Sequence, residues 1–218
     1  MEIRKRFKKF GGTFIPDIVE YLKVQLQEDP SLTISLGCDS IQKRRKTIYA
    51  ITIMLYNGDV KNGAHLVFFR ESVNKIKGNF ERLQREAEYL HEIGEFLNEE
   101  LAAFYTRKDL SELARKKYKF HLLRCAGEFE KLQIHDEEGV VKNLTLTPAD
   151  LAIEYKLVDL HLDFNPVEGA MDARGFSKNR SNLSYKSYVP WLRGMGYRVW
   201  AKPLAFAATS AADLLLQD

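Results

Sequence analysis

Four carboxylates of this chain fall where the neighbouring residues predict a protein core: Asp39, Glu86, Asp163 and Asp213. Taking an acid out of water is costly unless it is paired, protonated or bound to a ligand, so these positions are candidates for acid chemistry. Asp39 ends the strand-like run Leu36-Gly37-Cys38-Asp39-Ser40, where an aspartate also serves to open a turn. Glu86 lies in a helical segment whose Leu83, Ala87, Leu90, Ile93, Leu97, Leu101 and Phe104 form one apolar sector. It falls inside that sector, whereas Glu81, Glu88, Glu92, Glu95 and Glu99 fall opposite; the competing reading has it snorkel outward or pair with Arg82. In Val158-Asp159-Leu160-His161-Leu162-Asp163-Phe164-Asn165, alternation puts the apolar residues on one face and Asp159, His161, Asp163 and Asn165 on the other. On an edge strand that polar face is simply exposed. On a covered strand it needs a reason, and Asp163 and Asn165 sit at the carboxyl end, where open α/β sheets place ligands. Asp213 shares one side of an almost wholly apolar last helix with Phe206, Thr209 and Ser210, and is also near enough to the chain end to face water.

The elements that must position these acids follow from the hydropathy pattern. Residues 1–31 read as a basic arm and a helix, with Pro16 near its first turn and Asp29-Pro30 as its stop. Three strand-like runs follow, at 32–38, 47–55 and 64–70, joined by short polar links that imply antiparallel neighbours. A long helix is predicted over 79–105. Residues 108–150 read as an insertion, with a short helix near 110–117 and a hairpin of 128–135 and 140–147. Order resumes with a strand at 155–164, a loop rich in Gly and Asn, a helix near 182–193, a strand at 197–202, and a last helix opened by Pro203. The sequence therefore predicts an α/β fold: a mixed five-stranded sheet, a β-meander and then β-α-β-α, with helices on both faces. Residues 1–218 are expected to form one domain carrying the arm and the insertion.

Composition removes whole classes. With 29% charged and 45% hydrophobic residues, the chain is neither a disordered polyelectrolyte nor a membrane protein. The balance of 33 Lys+Arg against 30 Asp+Glu carries no implication of nucleic-acid binding by itself. Two cysteines, Cys38 and Cys125, cannot build a disulfide framework and suit a reducing compartment. The basic start is interrupted by Gly11, Gly12, Pro16 and Asp17, unlike a signal peptide, so a soluble cytoplasmic protein with no membrane partner is expected. His91-Glu92-Ile93-Gly94-Glu95 lacks the second histidine of a zinc protease motif, and no Cys-x-x-Cys, phosphate loop, nucleophile elbow or dinucleotide glycine pattern is present. His135-Asp136-Glu137-Glu138 is explained by an acidic turn. The basic clusters at 4–9, 43–46 and 115–119 are solvated surface unless they flank the acids.

Carboxylates from a first strand, a first long helix, a fourth strand and a last helix resemble the ribonuclease H-like superfamily. More closely, the chain resembles its YkuK-like family. The matching stretches are Leu36-Gly37-Cys38-Asp39-Ser40-Ile41-Gln42, Arg82-Leu83-Gln84-Arg85-Glu86, His161-Leu162-Asp163-Phe164-Asn165, and the segment from Lys202-Pro203 to Ala212-Asp213. The resemblance covers about residues 31–105 and 155–216 and leaves 108–150 unexplained. It implies that Asp39, Glu86, Asp163 and Asp213 hold two divalent cations, Mg²⁺ or Mn²⁺, with Asp39 bridging, for phosphodiester hydrolysis of RNA or DNA. Asp159 is the reserve for the fourth-strand role. Ser40, His161, Asn165 and Lys202 are the implied substrate contacts, although for His161 the role of a hydrogen-bonded structural histidine on a crowded strand is preferred.

Two further readings belong to other classes: a non-catalytic nucleic-acid-binding or adaptor protein that retains the fold, and an interaction protein that uses 108–150 as its interface.

Overall fold

The computed structural model describes residues 3–29, 32–56, 64–105, 134–135, 141–142, 156–167, 169 and 181–216. After a short 3₁₀ turn at Ile3–Lys5 come β1 (Lys8–Lys9), α1 (Ile18–Glu28), β2 (Thr33–Lys43), β3 (Lys46–Tyr56), β4 (His65–Asn74) and α2 (Asn79–Tyr105). Then follow β5 (Ile134–His135), β6 (Val141–Lys142), β7 (Val158–Leu162), α3 (Asn182–Gly194), β8 (Val199–Trp200) and the wide π-type turns of α4 (Ala207–Ala212). The main sheet has the order β1-β4-β3-β2-β7-β8. β2, β3 and β4 form the expected antiparallel meander, and β7 and β8 run parallel to β2.

The mixed α/β architecture is as expected; the strand count is not. The sheet has six strands, because Lys8–Lys9 pairs with Phe68 and Val67 at the edge of β4. Two lysines carry no strand periodicity. What holds them there is their flanks, since Ile3, Phe7 and Ile15 are buried against the sheet. α1 begins where Asp17 caps it, its Oδ1 accepting from the N–H groups of Val19 and Glu20.

The sheet separates two layers. Ile34, Leu36 and Cys38 of β2, with their alternate neighbours on β3, β4 and β7, face α1, α2 and α3 in one large apolar core. On the opposite face α4 presses on β2 so closely that a Cβ at Gly37 would lie 2.4 Å from the Ala207 backbone. A smaller apolar cluster there joins Ala50 to Ala212, Leu215 and Leu216. Helices thus cover both faces, as the sequence predicts.

Three boundaries differ. β2 does not stop at residue 38 but runs to Lys43, so Asp39 lies inside a strand, paired with Ala50, and opens no turn. The strand expected at 155–164 is regular only over Val158–Leu162. Pro203 sits in a turn closed by Leu204 N–H to Ala201 C=O, so the last helix starts later than expected. The β5–β6 ladder falls within the hairpin expected in 128–147, whereas the short helix expected at 110–117 lies outside the described residues. No helix among the described residues is long and apolar enough to cross a membrane.

Candidate active site

β7 pairs with β2 only as far as Leu162 opposite Cys38. Beyond that point β2 continues beside β3 only, and the sheet opens on its β7 side. Asp39 is the first residue of β2 past the pairing and Asp163 the first past β7. Both point to the α4 side by alternation, while Ser40 points to the α2 side, where Glu86 meets it. The sequence thus brings acids from both faces to one opening.

Three of the four carboxylates, Asp39, Glu86 and Asp163, feel others of the set. Burial raises the Asp39 carboxyl to about 6, and the charges of Asp163 and Asp213 add to the rise, against the Ser40 N–H and Arg82. Burial, then the charge of Asp39, pushes Glu86 well above the ordinary carboxylate range. Asp163 is raised by burial and by Asp213, with Lys202 opposing. Asp213 is exposed at the end of α4.

Glu86 is fully buried. Ser40 Oγ donates to its Oε1, and Arg82 Nη1 lies 3.4 Å from the same oxygen. Arg82 also donates to the Ser40 carbonyl and Oγ, each at 2.6 Å, and to Asn79 Oδ1 at 2.9 Å. The sequence-level alternatives for Glu86 are therefore both realised: it lies in the apolar sector and it pairs with Arg82. The sequence offers Arg82 only as that partner. Its spacing of four residues from Glu86 is the signal that could have marked it as a cation of the site.

The remaining candidates divide. Lys202 Nζ lies 2.8 Å from Asp163 Oδ1, within the site. His161 is buried on β7, its ring packed edge-on to Phe206 at 5.1 Å, as a structural histidine would be. Asn165 is turned to loop architecture: its Oδ1 accepts from Val167 N–H, and its carbonyl accepts from Asn182. Asp159 does not join the cluster. It is fully buried, bonded to Arg198 Nε and, at 3.0 Å, to Trp200 Nε1.

Among the described residues no group of three or more His, Cys, Asp or Glu side chains stands close enough to hold a metal ion as arranged. Mutual repulsion at electrostatic range and separation at ligand range are compatible. Asp163 meets Lys202, and Glu86 meets Ser40 and Arg82. The donor set itself fits a hard divalent cation. It is all oxygen, and Glu86 Oε2 is buried with no hydrogen-bond partner among the described residues.

Comparison with known proteins agrees with this architecture. A family model described as ribonuclease H-like matches residues 14–122. No curated protein and no solved structure matches. The matched segment contains the meander and α2, and with them Asp39, Ser40, Arg82 and Glu86; Asp163, Lys202 and Asp213 lie beyond it. With half of its 218 residues matched and the meander, long helix and parallel β7–β8 extension in place, the chain belongs to the ribonuclease H-like family.

Proposed function

We propose that the protein is a divalent-metal-dependent nuclease hydrolysing phosphodiester bonds of RNA or DNA, with Asp39, Glu86, Asp163 and Asp213 as the metal ligands. The observation that carries this reading is the crowding of acids at the open end of the sheet, where burial and mutual repulsion raise Asp39 to about 6 and push Glu86 well above the ordinary carboxylate range. A site that destabilises its own carboxylates gains most when cations enter. Bound Mg²⁺ or Mn²⁺ would supply activation of the attacking water and charge stabilisation at the leaving oxygen.

The chain's own residues have separate tasks. Arg82 fixes Ser40 and Glu86 from the α2 side. Lys202, 43% exposed, balances Asp163 without cation and is placed to meet a substrate phosphate once Asp163 is engaged. Gly37 lets α4 approach β2, and Asp213 stands at the end of that helix.

The test is cleavage of labelled RNA and DNA with Mn²⁺ present or chelated. Metal-dependent cleavage by the wild type, lost in a folded Asp39→Asn variant, is expected. Unchanged cleavage in that variant would falsify the assignment. The second reading, binding without turnover, is favoured by the same Ser40–Arg82–Glu86 network, which holds one acid away from the rest. Nucleic-acid binding with no cleavage under any divalent cation would select it.

A further inference from the structure

A second concentration of unusual surface lies far from the carboxylates. Residues 7–15 form a tight hairpin: Ile15 N–H donates to Phe7 C=O at 2.9 Å, Lys9 N–H to Thr13 C=O at 2.8 Å, and Gly12 N–H to Lys9 C=O at 2.8 Å. Gly12 has φ 88°, a left-handed conformation that a side chain would strain. The hairpin is anchored below by Phe7, fully buried and edge-on to Phe69 at 4.9 Å, and by the pairing of β1 with β4.

From this ordered frame two phenyl rings project into water, Phe10 at 57% and Phe14 at 63% exposure. Beside them stand Lys8, its Nζ 4.3 Å from the centroid of Phe14, and Lys9, its Nζ 5.4 Å from the centroid of Tyr21. The acids nearby are already neutralised: Asp17 by Arg4, Glu71 by Arg6, Glu20 by Lys23. Lys8 and Lys9 have no carboxylate partner among the described residues. The tip therefore offers apolar ring faces next to uncompensated positive charge, the complement of an anion that carries flat apolar groups.

We propose that this hairpin is a stacking platform for single-stranded nucleic acid, with bases on Phe10 and Phe14 and phosphates against Lys8 and Lys9. The inference goes beyond the nuclease reading and does not rest on it. Register places the tip three strands from β2 and towards the opposite end of the sheet from Asp39, so it is a separate contact. Two rings on a narrow turn, with lysines held over aromatic faces, suit stacking better than insertion into a lipid surface.

The test is fluorescence anisotropy of labelled oligo(dT) and oligo(U), about 12 nucleotides long, with the full chain in EDTA. Under these conditions the carboxylates repel phosphate, so loss of catalysis and loss of this contact are read separately. Phe10→Ser with Phe14→Ser is expected to weaken binding about tenfold or more, without change in the thermal melt. Lys8→Gln with Lys9→Gln is expected to shallow the dependence of log K on log salt by about 1.4. Wild-type binding that the phenylalanine pair does not weaken, absence of oligonucleotide binding, or binding only to phosphatidylglycerol vesicles would each overturn the proposal.

Discussion

The two ends of β7 carry the same side chain in opposite circumstances. At the amino end Asp159 is fully buried and fully answered, by the Arg198 guanidinium and the Trp200 indole N–H. At the carboxyl end Asp163 joins Asp39, Glu86 and Asp213, and among the described residues Arg82 pairs with Glu86 and Lys202 with Asp163. One acid completes a core; the other group leaves a charge deficit inside the fold. A buried acid with its partner supplied by the chain needs no ligand, whereas acids that exceed their partners create a demand for one. The pattern of alternation could not separate Asp159 from Asp163. Their neighbours do.

The sharpest way to break the comparison is at the satisfied end. Asp159→Ala leaves Arg198, 13% exposed, without its counter-charge, and is expected to cost about 3–5 kcal/mol in urea denaturation. A loss comparable to that of a surface substitution would mean that Asp159 is no more structural than Asp163.

The unsatisfied end should respond to cation instead. Mn²⁺ at a hundredfold excess over its dissociation constant is expected to stabilise the wild type by about 2.7 kcal/mol and Asp39→Asn by much less. Asp159 variants that still fold should keep the response. Equal stabilisation of wild type and Asp39→Asn would remove Asp39 from the ligand set.

The next effect is linked to pH. The folded Asp39 carboxyl titrates at about 6, above its ordinary value, so the native state holds its proton more tightly than the unfolded state does. Stability from this group is therefore present at pH 4 and falls as the pH rises through 6. In EDTA, Asp39→Asn is expected to be more stable than wild type by about 2–3 kcal/mol at pH 7.5 and no more stable at pH 4. A variant less stable at pH 7.5 would show that Asp39 is paired rather than repelled.

How much of this could be read from residues alone follows the same division. The meander, α2 and α3 are long and periodic enough to announce themselves, and the four acids were legible as exceptions to that periodicity. Glu86 stood out because an amphipathic helix fixes where an acid should not be. The cation content of the site was legible only in part: Lys202 stood among the implied substrate contacts and Arg82 as a partner of Glu86, neither as a counter-charge to the cluster. Arg82 lies on a helix crowded with arginine and glutamate, and only folding shows that it reaches back to the Ser40 carbonyl. Lys202 depends on the turn at 201–204, which brings it to Asp163. β1 escaped because two lysines have no pattern; their place is set by Phe7 and Ile15 on either side. Asp39 looked terminal because polar Ser40 and Gln42 follow it. Those residues alternate in a strand that has simply run beyond its β7 neighbour and turned its even positions towards Arg82 and the Ile76 carbonyl.

Lys202 gives the smallest effect and the finest distinction. It is 43% exposed, so its ion pair with Asp163 is well screened, and Lys202→Met is expected to lower stability in EDTA by less than about 1 kcal/mol at pH 7.5. The direction matters more than the size. A lysine that stands in for a cation is needed most when none is bound, so the loss should shrink when Mn²⁺ is added and Asp163 has another counter-charge. A lysine that is merely structural, as Arg198 is for Asp159, would give the same loss with and without the metal. Urea denaturation of wild type and Lys202→Met, with and without Mn²⁺, measures the difference, and an unchanged loss would place both ends of β7 in one class.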